Sequence, residues 1–467
     1  MGTEKDTVVL EYDSNGVLLG SYSRGPAGSR NRSQVEEPTT TLSQRALRRA
    51  IDVFLPSGYP HSVTSDYTDY QIYDSFQAFA STIANLLANR AVLAAVGVGD
   101  ADATSTSALF MKIIQDAVGR CATILFAWKY GAALEPECKM YRFAADLAND
   151  TAIIFDTASP WFPQSVRVWI LCVSGLFRSV CGVMGVSSRA ALTLHFTDSS
   201  KGSISDVNAK DSSQETVITL LGMLAGSLVV SNIQSNQATW ICMIVLLVFH
   251  LYTNYRAVKA VVMTSFNRQR TTLAVEALAD QTAQHFLRSN LDPTAVIDAV
   301  RAVSEDLQGL IPSPSYVSKR ELVLARGSAI SRDGRPIATA KFTSIKDVLD
   351  ILPPEVTLKD LMAQQKHWGY LIWCSFDTEM DIRIALFAND EQGSSADSLR
   401  DFRAWTHACL LARIAHTAQP NLITLTGDFV WQLGDRLREA LLSNGWVIDR
   451  TFLDAHNAPR IQISHSD

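Results

Sequence analysis

Three groups of residues in this chain have types and spacings that suit chemistry. The segment Lys210-Asp211-Ser212-Ser213-Gln214-Glu215 stands where a polar loop meets an apolar run, and Ser212 with Glu215 has the spacing of a capping box. Lys210, Asp211 and Gln214 exceed what a cap needs, and polar groups at a helix N-terminus can hold an anion with help from the helix dipole, so a substrate or gating site is expected here. Asp146, Asn149 and Asp150 share one helical face, with Arg142 one turn before. Carboxylates inside a membrane are costly and tend to be kept for use, so this face reads as an ion or proton site or as a salt-bridged seam between helices. His250 and Asn254, four residues apart, form a similar pair near Arg256. Lys112, Asp116 and Arg120 also recur on one face, where they can pair and turn away from lipid. Arg178 and Arg189 bracket Gly182 and Gly185, small residues that permit close helix contact, and with Asp116, Arg120 and Arg256 they complete the set of substrate or gating candidates.

No catalytic signature accompanies these groups. GxSxG, HExxH and paired-Cys patterns are missing from the sequence, and Val96-Gly97-Val98-Gly99-Asp100 lacks the strand before it and the Lys-Ser/Thr after it that a phosphate loop needs. The expectation is a protein that is not an enzyme and uses no metal or cofactor. Seven widely spaced cysteines read as reduced core residues. A net charge of -6 without a long basic run argues against nucleic acid as a partner. Charged residues make up 19% and hydrophobic residues 47% of the 467. The mean hydropathy of +0.07 is what a membrane half joined to a soluble half would average to. The opening Met1-Gly2-Thr3-Glu4-Lys5-Asp6 has no apolar core of a secretory signal, and Asp6 stands where a myristoylation motif wants Ser or Thr.

The elements that must position these residues are mostly helical. Thr7 to Tyr22 alternates around Asp13-Ser14-Asn15-Gly16 as a β-hairpin does, and Ser23 to Thr41 has the composition of a linker. Six helices are predicted over Asp74 to Gly97, Ser105 to Trp128, Lys139 to Thr157, Ser165 to Val186, Ser213 to Val230 and Ala238 to Ala260. The last two form the clearest transmembrane hairpin, because Thr216 to Tyr255 contains no Asp, Glu, Lys or Arg. If all six cross, the loops Val98 to Thr104, Ala158 to Gln164 and Ser231 to Gln237 share one side and carry no Lys or Arg. The opposite side holds Arg45, Arg48, Arg49, Lys129, Lys139, Arg189, Lys201, Lys210, Arg256, Lys259, Arg268 and Arg270, which by the positive-inside rule places both ends of the chain there, on the cytosolic side. A faint echo between Ile114 to Arg120 and Ala209 to Glu215 leaves open two inverted repeats of three helices, an arrangement common in secondary transporters. After Arg270, two amphipathic helices (Leu273 to Leu287, Pro293 to Leu307) and three strands (Gly369 to Phe376, Met380 to Phe387, Trp446 to Phe452) are predicted. The fold class is therefore mainly α: a six-helix membrane bundle, in two three-helix repeats if the echo is real, followed by a soluble α+β domain. The domains are an N-terminal hairpin and linker (1–41), the helical membrane domain (42–270) and a helical connector with the C-terminal domain (271–467).

Several segments taken together are more specific than any one of them. Phe54-Leu55-Pro56-Ser57-Gly58-Tyr59-Pro60-His61-Ser62-Val63 leads into Asp66-Tyr67 and Tyr70-Gln71. Then follow Val96 to Asp100, Ala145-Asp146-Leu147-Ala148-Asn149-Asp150, Ser188-Arg189-Ala190-Ala191-Leu192-Thr193, Ala209 to Thr216 and Asn254-Tyr255-Arg256-Ala257-Val258. In this order they resemble the Root UVB Sensitive family, closely over Phe54 to Arg270 and more loosely beyond. Tyr73, where a tryptophan is expected, and Ser212, where glycine is usual, depart from the pattern. The resemblance implies a membrane domain and no defined reaction; the family is named for seedling growth under ultraviolet-B light, and its plant members are linked to auxin transport, vitamin B6 status and plastids. The N-terminus lacks the Ser- and Arg-rich character of a transit peptide. The expected function is carriage of a small polar or anionic metabolite, with a membrane-anchored scaffold acting through its C-terminal domain as the alternative. The expected partners are the lipid bilayer and, left open, a family paralogue or a second copy of the chain.

Overall fold

The structure, a computed structural model, describes residues 8–12, 18–23, 53–95, 105–198, 200–292, 294–325, 327–376, 379–388, 395–414, 420–451, 453 and 458–462. It divides into two units. The first comprises Met1–Gly119, Asp146–Arg178 and Arg189–Ala260; the second comprises Arg120–Ala145, Ser179–Ser188 and Val261–Asp467.

Each of the six apolar runs forms a helix: α1 (Tyr67–Ala95), α2 (Ser105–Tyr130), α3 (Cys138–Ala158), α4 (Gln164–Phe196), α5 (Ile204–Asn232) and α6 (Asn236–Ala260). Among the described residues, α1, α4, α5 and α6 are long and apolar enough to cross a membrane. The expected count of six is thus reduced to four on this measure. Lys112, Asp116 and Arg120 interrupt α2, and Arg142, Asp146, Asp150 and Asp156 interrupt α3.

In the first unit, strands β1 (Val8–Tyr12) and β2 (Leu18–Ser23) pair antiparallel. Helix α1 packs along both α5 and α6, and Ala84, Leu87, Ala88, Ile153, Met243 and Leu247 form a buried cluster. The close approach of α5 to α1 depends on Gly222 and Gly226. A Cβ at Gly222 would stand 2.9 Å from Thr82 Cβ, and one at Gly226 2.6 Å from Leu86 Cδ1. This Gly-x-x-x-Gly pair does the work the sequence reading gave to Gly182 and Gly185, whose Cβ positions meet nothing within 4 Å among the described residues. Toward the outside, Leu220, Leu221, Leu224 and Leu228 of α5 and Ile241, Ile244, Val245 and Val248 of α6 are each at least 50% exposed. Two adjacent helices of bare leucine, isoleucine and valine are unfavourable in water and favourable in lipid.

The second unit has a four-stranded sheet of order β4-β5-β7-β6, from β4 (Ala329–Arg332), β5 (Arg335–Phe342), β6 (Tyr370–Ser375) and β7 (Asp381–Leu386). Only the β5–β7 pairing is parallel. A second, two-stranded parallel sheet joins β3 (Ser265–Phe266) to β8 (Val447–Thr451). Phe402, Trp405, Ala408 and Cys409, on the helix Ser395–Ile414, enter a large apolar core with Trp368, Trp373, Phe266 and Trp446. Phe342 stacks on Trp405 and Phe266 on Trp446 at centroid separations of 5.8 and 4.2 Å. The helix expected over Leu273 to Leu287 occurs as two, Arg268–Ala274 and Glu276–Arg288, broken at Val275.

Candidate functional site

Helix α1 carries the polar side of the first unit. Gln71, Asp74, Gln77, Ser81 and Asn85 recur every three or four residues, which keeps them on about one third of the helix circumference. Gln71, Gln77, Ser81 and Asn85 each meet a polar group from another helix of the same unit. The result is a seam with three tiers.

In the first tier, Gln71 Nε2 donates to Asp211 Oδ1 (2.6 Å). Arg189 Nε donates to Asp211 Oδ2 (2.7 Å) and its Nη1 to Glu215 Oε2 (2.5 Å), so one guanidinium is held by two carboxylates of α5. A small cleft lies beside them, lined by Tyr67, Tyr70, Gln71, Arg189, Phe196 and Asp211. Lys210 Nζ and Gln214 Nε2 turn instead to the backbone, donating to the carbonyls of Val53 (3.1 Å) and Phe54 (2.6 Å). This corrects the expected helix-start site. Helix α5 begins at Ile204, with Ser203 as its N-cap, so Lys210 to Glu215 occupy its second and third turns. Ser212 Oγ donates to Asn208 O within the helix and forms no capping box. A capping-box spacing recurs inside polar helical turns, and an anion site built on the helix dipole has no place there.

The second tier joins α1, α3 and α6. Asp146 Oδ2 accepts from Gln77 Nε2 and from Asn254 Nδ2. His250 Nδ1 lies 2.8 Å from Asp150 Oδ1, and its Nε2 lies 4.0 Å from Asp146 Oδ2. Asn149 Nδ2 donates to Ser81 Oγ (3.3 Å). Gln77, Asp146, Asp150, His250 and Asn254 are all buried.

In the third tier, Arg178 Nη2 pairs with Asp156 Oδ2 (2.6 Å) and its Nη1 donates to Asn85 Oδ1 (2.9 Å). Beyond it, Arg90 donates to the carbonyls of Val230 and Ile233 and to Thr239 Oγ1, holding the turn between α5 and α6. At 1.5 Å per residue, Gln71 to Asn85 runs about 21 Å along the helix.

The seam thus gathers Asp146, Asn149, Asp150, Arg178, Arg189, Asp211, Glu215, His250 and Asn254 from the sequence-predicted set. Lys210 and Gln214 serve the loop before α1. Asp116 and Arg120 fall on exposed positions of α2, and the Lys112–Asp116 pair (2.9 Å) has side chains 64% and 53% exposed, so that face is not turned away from the surroundings. Arg256 is exposed, donates to the hydroxyls of Tyr73 (2.7 Å) and Tyr252 (3.1 Å) and lies over both rings. Sequence reasoning missed Gln71, Gln77, Asn85 and Asp156, and also the buried pair His195 Nε2–Asp66 Oδ2 (2.9 Å). The signal for the α1 group was available as polar periodicity in an apolar helix. Among the described residues no group of three or more His, Cys, Asp or Glu is placed to hold a metal ion.

The second unit has its own buried charge cluster. Glu321 accepts from Lys139 Nζ on Oε2 (2.7 Å) and from Arg270 Nη1 on Oε1 (2.9 Å). Lys139 also donates to Val261 O, and Arg270 to the carbonyls of Ser265 and Pro136. Burial alone would raise the Glu321 carboxyl, but Arg270 and Lys139 outweigh it and hold the group below the usual carboxylate range.

Comparison with known proteins supplies the last step. The family model described as the vitamin B6 photo-protection and homoeostasis domain matches residues 40–282. The chain is 39% identical over 276 residues to RUS family member 1 of Dictyostelium discoideum, covering 58% of this chain and 47% of that protein. It is 39% identical over 227 residues to protein root UVB sensitive 3 of Arabidopsis thaliana (48% of this chain, 51% of that protein). Over 398 residues it is 26% identical to protein root UVB sensitive 6 of the same plant (84% and 75%). In the first two matches the chain spans about half the length of the relative. No solved structure matches it. A family match over more than half of the chain, covering α1 to α6 and with them the whole seam, means that this protein belongs to the Root UVB Sensitive family.

Proposed function

We propose that the chain is an integral membrane carrier of a small polar or anionic metabolite, with no catalytic chemistry of its own, whose path follows the polar seam of the first unit. The observation that supports this reading is the seam itself: polar partners for α1 at three tiers, inside a unit whose α5 and α6 expose continuous apolar surface. Burying this many amide, carboxylate and guanidinium groups beside lipid is expensive, and their use as a path gives a reason to keep them. Helices α2 and α3 complete six crossings in this reading, with both ends of the chain on the cytosolic side. The family description names vitamin B6, and phosphorylated B6 vitamers have the anionic character proposed.

Purified full-length chain in liposomes tests the carrier directly. Vesicles are offered labelled organic anions, amines and B6 vitamers, and uptake of at least one above protein-free vesicles is expected, with a fall in Gln71→Leu and Asn85→Leu. Failure across the panel overturns the carrier. The scaffold reading, with a family paralogue or a second copy as partner, rests on Tyr316, Leu322 and Leu324 of the second unit, which are 52%, 62% and 59% exposed. Failed uptake together with partner binding lost in Leu322→Ser/Leu324→Ser would favour it.

A further inference from the structure

At the middle tier of the seam an imidazole lies between two carboxylates on successive turns of one helix. His250, 1% exposed, has Nδ1 2.8 Å from Asp150 Oδ1 and Nε2 4.0 Å from Asp146 Oδ2, ion-pair distances rather than aligned hydrogen bonds. Helix α3 supplies Asp146 and Asp150 to the ring, and the neutral amides of Gln77 on α1 and Asn254 on α6 bond to Asp146.

A second observation concerns the two amides. Gln77 and Asn254 both spend their N–H groups on Asp146, while Gln77 Oε1 and Asn254 Oδ1 are buried without a hydrogen-bond partner. A buried acceptor left unmet costs about 1–3 kcal/mol. A carboxamide can turn over, offering N–H to a carboxylate or C=O to a carboxylic acid. These two are therefore matched to an Asp146 that is a carboxylate in the present arrangement and an acid in another, when its O–H would satisfy one of the idle oxygens.

We propose that Asp150, His250 and Asp146 form a proton relay within the helical unit, with the Gln77 and Asn254 amides following the state of Asp146. A proton on Asp150 passes to His250 Nδ1, leaving a carboxylate and an imidazolium. The imidazolium releases its Nε2 proton to Asp146, leaving a neutral ring of the other tautomer and a carboxylic acid. A turn of the ring to align Nδ1 with Asp150 and a movement of about 1 Å at Nε2 bring both nitrogens into hydrogen-bond range. The relay rests on reading the seam as a working path, and it gives that path a proton to couple to.

The test is histidine titration in the full chain, labelled with nitrogen-15 histidine and held in lipid nanodiscs, with His250 assigned by the signal lost in His250→Gln. Both ring nitrogens are expected to change state between about pH 5 and about 9, and Asp150→Asn to move the midpoint by about one pH unit or more, a tenfold change in proton affinity. A ring that keeps one protonation state across the range overturns the relay, as does a midpoint indifferent to both Asp150→Asn and Asp146→Asn. If Asp150→Asn does not fold, the native titration and Asp146→Asn decide. The readout is independent of uptake. A titrating ring in a protein that carries no tested metabolite refutes the carrier and leaves the relay standing, and a silent ring in an active carrier does the reverse.

Discussion

Both units bury charge, and they do so with different chemistry. In the second unit Glu321 takes one cation on each oxygen, and Arg270 uses Nε, Nη1 and Nη2 on separate acceptors, so each of these ions is met by an opposite charge or a carbonyl. In the first unit the middle tier is built of histidine, carboxylates and amides, groups that exchange donor and acceptor roles, and two of its amide oxygens are unmet. A saturated network of permanent ions holds shape. A network of convertible groups with spare capacity can change state at lower cost, which is what the proposed carrier path would require.

The largest effect should come from breaking the closed cluster. Glu321→Gln leaves Lys139 and Arg270, 4% and 2% exposed, buried without their counter-charge. A loss of about 3–5 kcal/mol is expected, read as a fall in the thermal unfolding temperature of the second unit in detergent. Adding Lys139→Met should restore part of it, since one stranded charge is then gone. If Glu321→Gln unfolds at the native temperature, the cluster is not the closed structural device described here.

Acid should act on the second unit through His407, next in size per unit of pH. Burial pushes this imidazole down from 6.5 to about 3, and its ring sits between Tyr370 Oη (3.2 Å) and Thr426 Oγ1 (2.9 Å). Between those values the unfolded chain binds a proton that the folded chain refuses. Stability should therefore fall as the pH drops below about 6.5, by up to about 1.4 kcal/mol per pH unit, and level off near pH 3. His407→Gln should flatten the slope in a pH series of unfolding curves. An unchanged slope would assign the acid sensitivity elsewhere.

Packing in the first unit gives the third test. Gly222→Val places a branched side chain against Thr82, and backbone at Phe79 O stands 3.3 Å from the new Cβ. About 1–3 kcal/mol should be lost. Gly182→Val, which meets nothing within 4 Å, should cost far less by the same measurement.

How much of this was legible follows from what a sequence pattern records. Apolar runs gave the six helices in their observed order, with the start of α1, the end of α4 and the start of α5 displaced by about seven to ten residues, because a run of leucine and valine needs no partner to be recognised while a polar helical turn does. The seam was half legible. Charged members such as Asp146, Asp150, Arg178 and His250 stand out in an apolar helix, whereas Gln71, Gln77 and Asn85 do not, although their three- and four-residue spacing was there to count. The first strand pair of the second unit, β4 and β5, was missed despite an Asp333-Gly334 turn with both φ positive (50° and 76°), because Arg332, Arg335 and Pro336 beside it hide the alternation. The start of α5 was misplaced because Ile204 to Gln214 is polar for tertiary reasons: it bonds to the loop before α1 and to Arg189.

The smallest predicted effect tests the limit of the spacing argument. Lys112 and Asp116 on α2, and Asp146 and Asp150 on α3, are both four-residue pairs of ionisable groups on one helical face, and nothing in their spacing ranks one above the other. The structure does: the first pair is more than half exposed and the second is buried. An exposed pair loses in side-chain ordering much of what it gains in attraction, so Asp116→Asn should leave the unfolding temperature within about 1 °C of the native chain. Asp146→Asn, by contrast, replaces the acceptor of two buried amides with a group that is half donor, and should lower that temperature measurably. Equal responses would mean that burial does not separate the two faces and that the seam is no more specialised than the surface of α2.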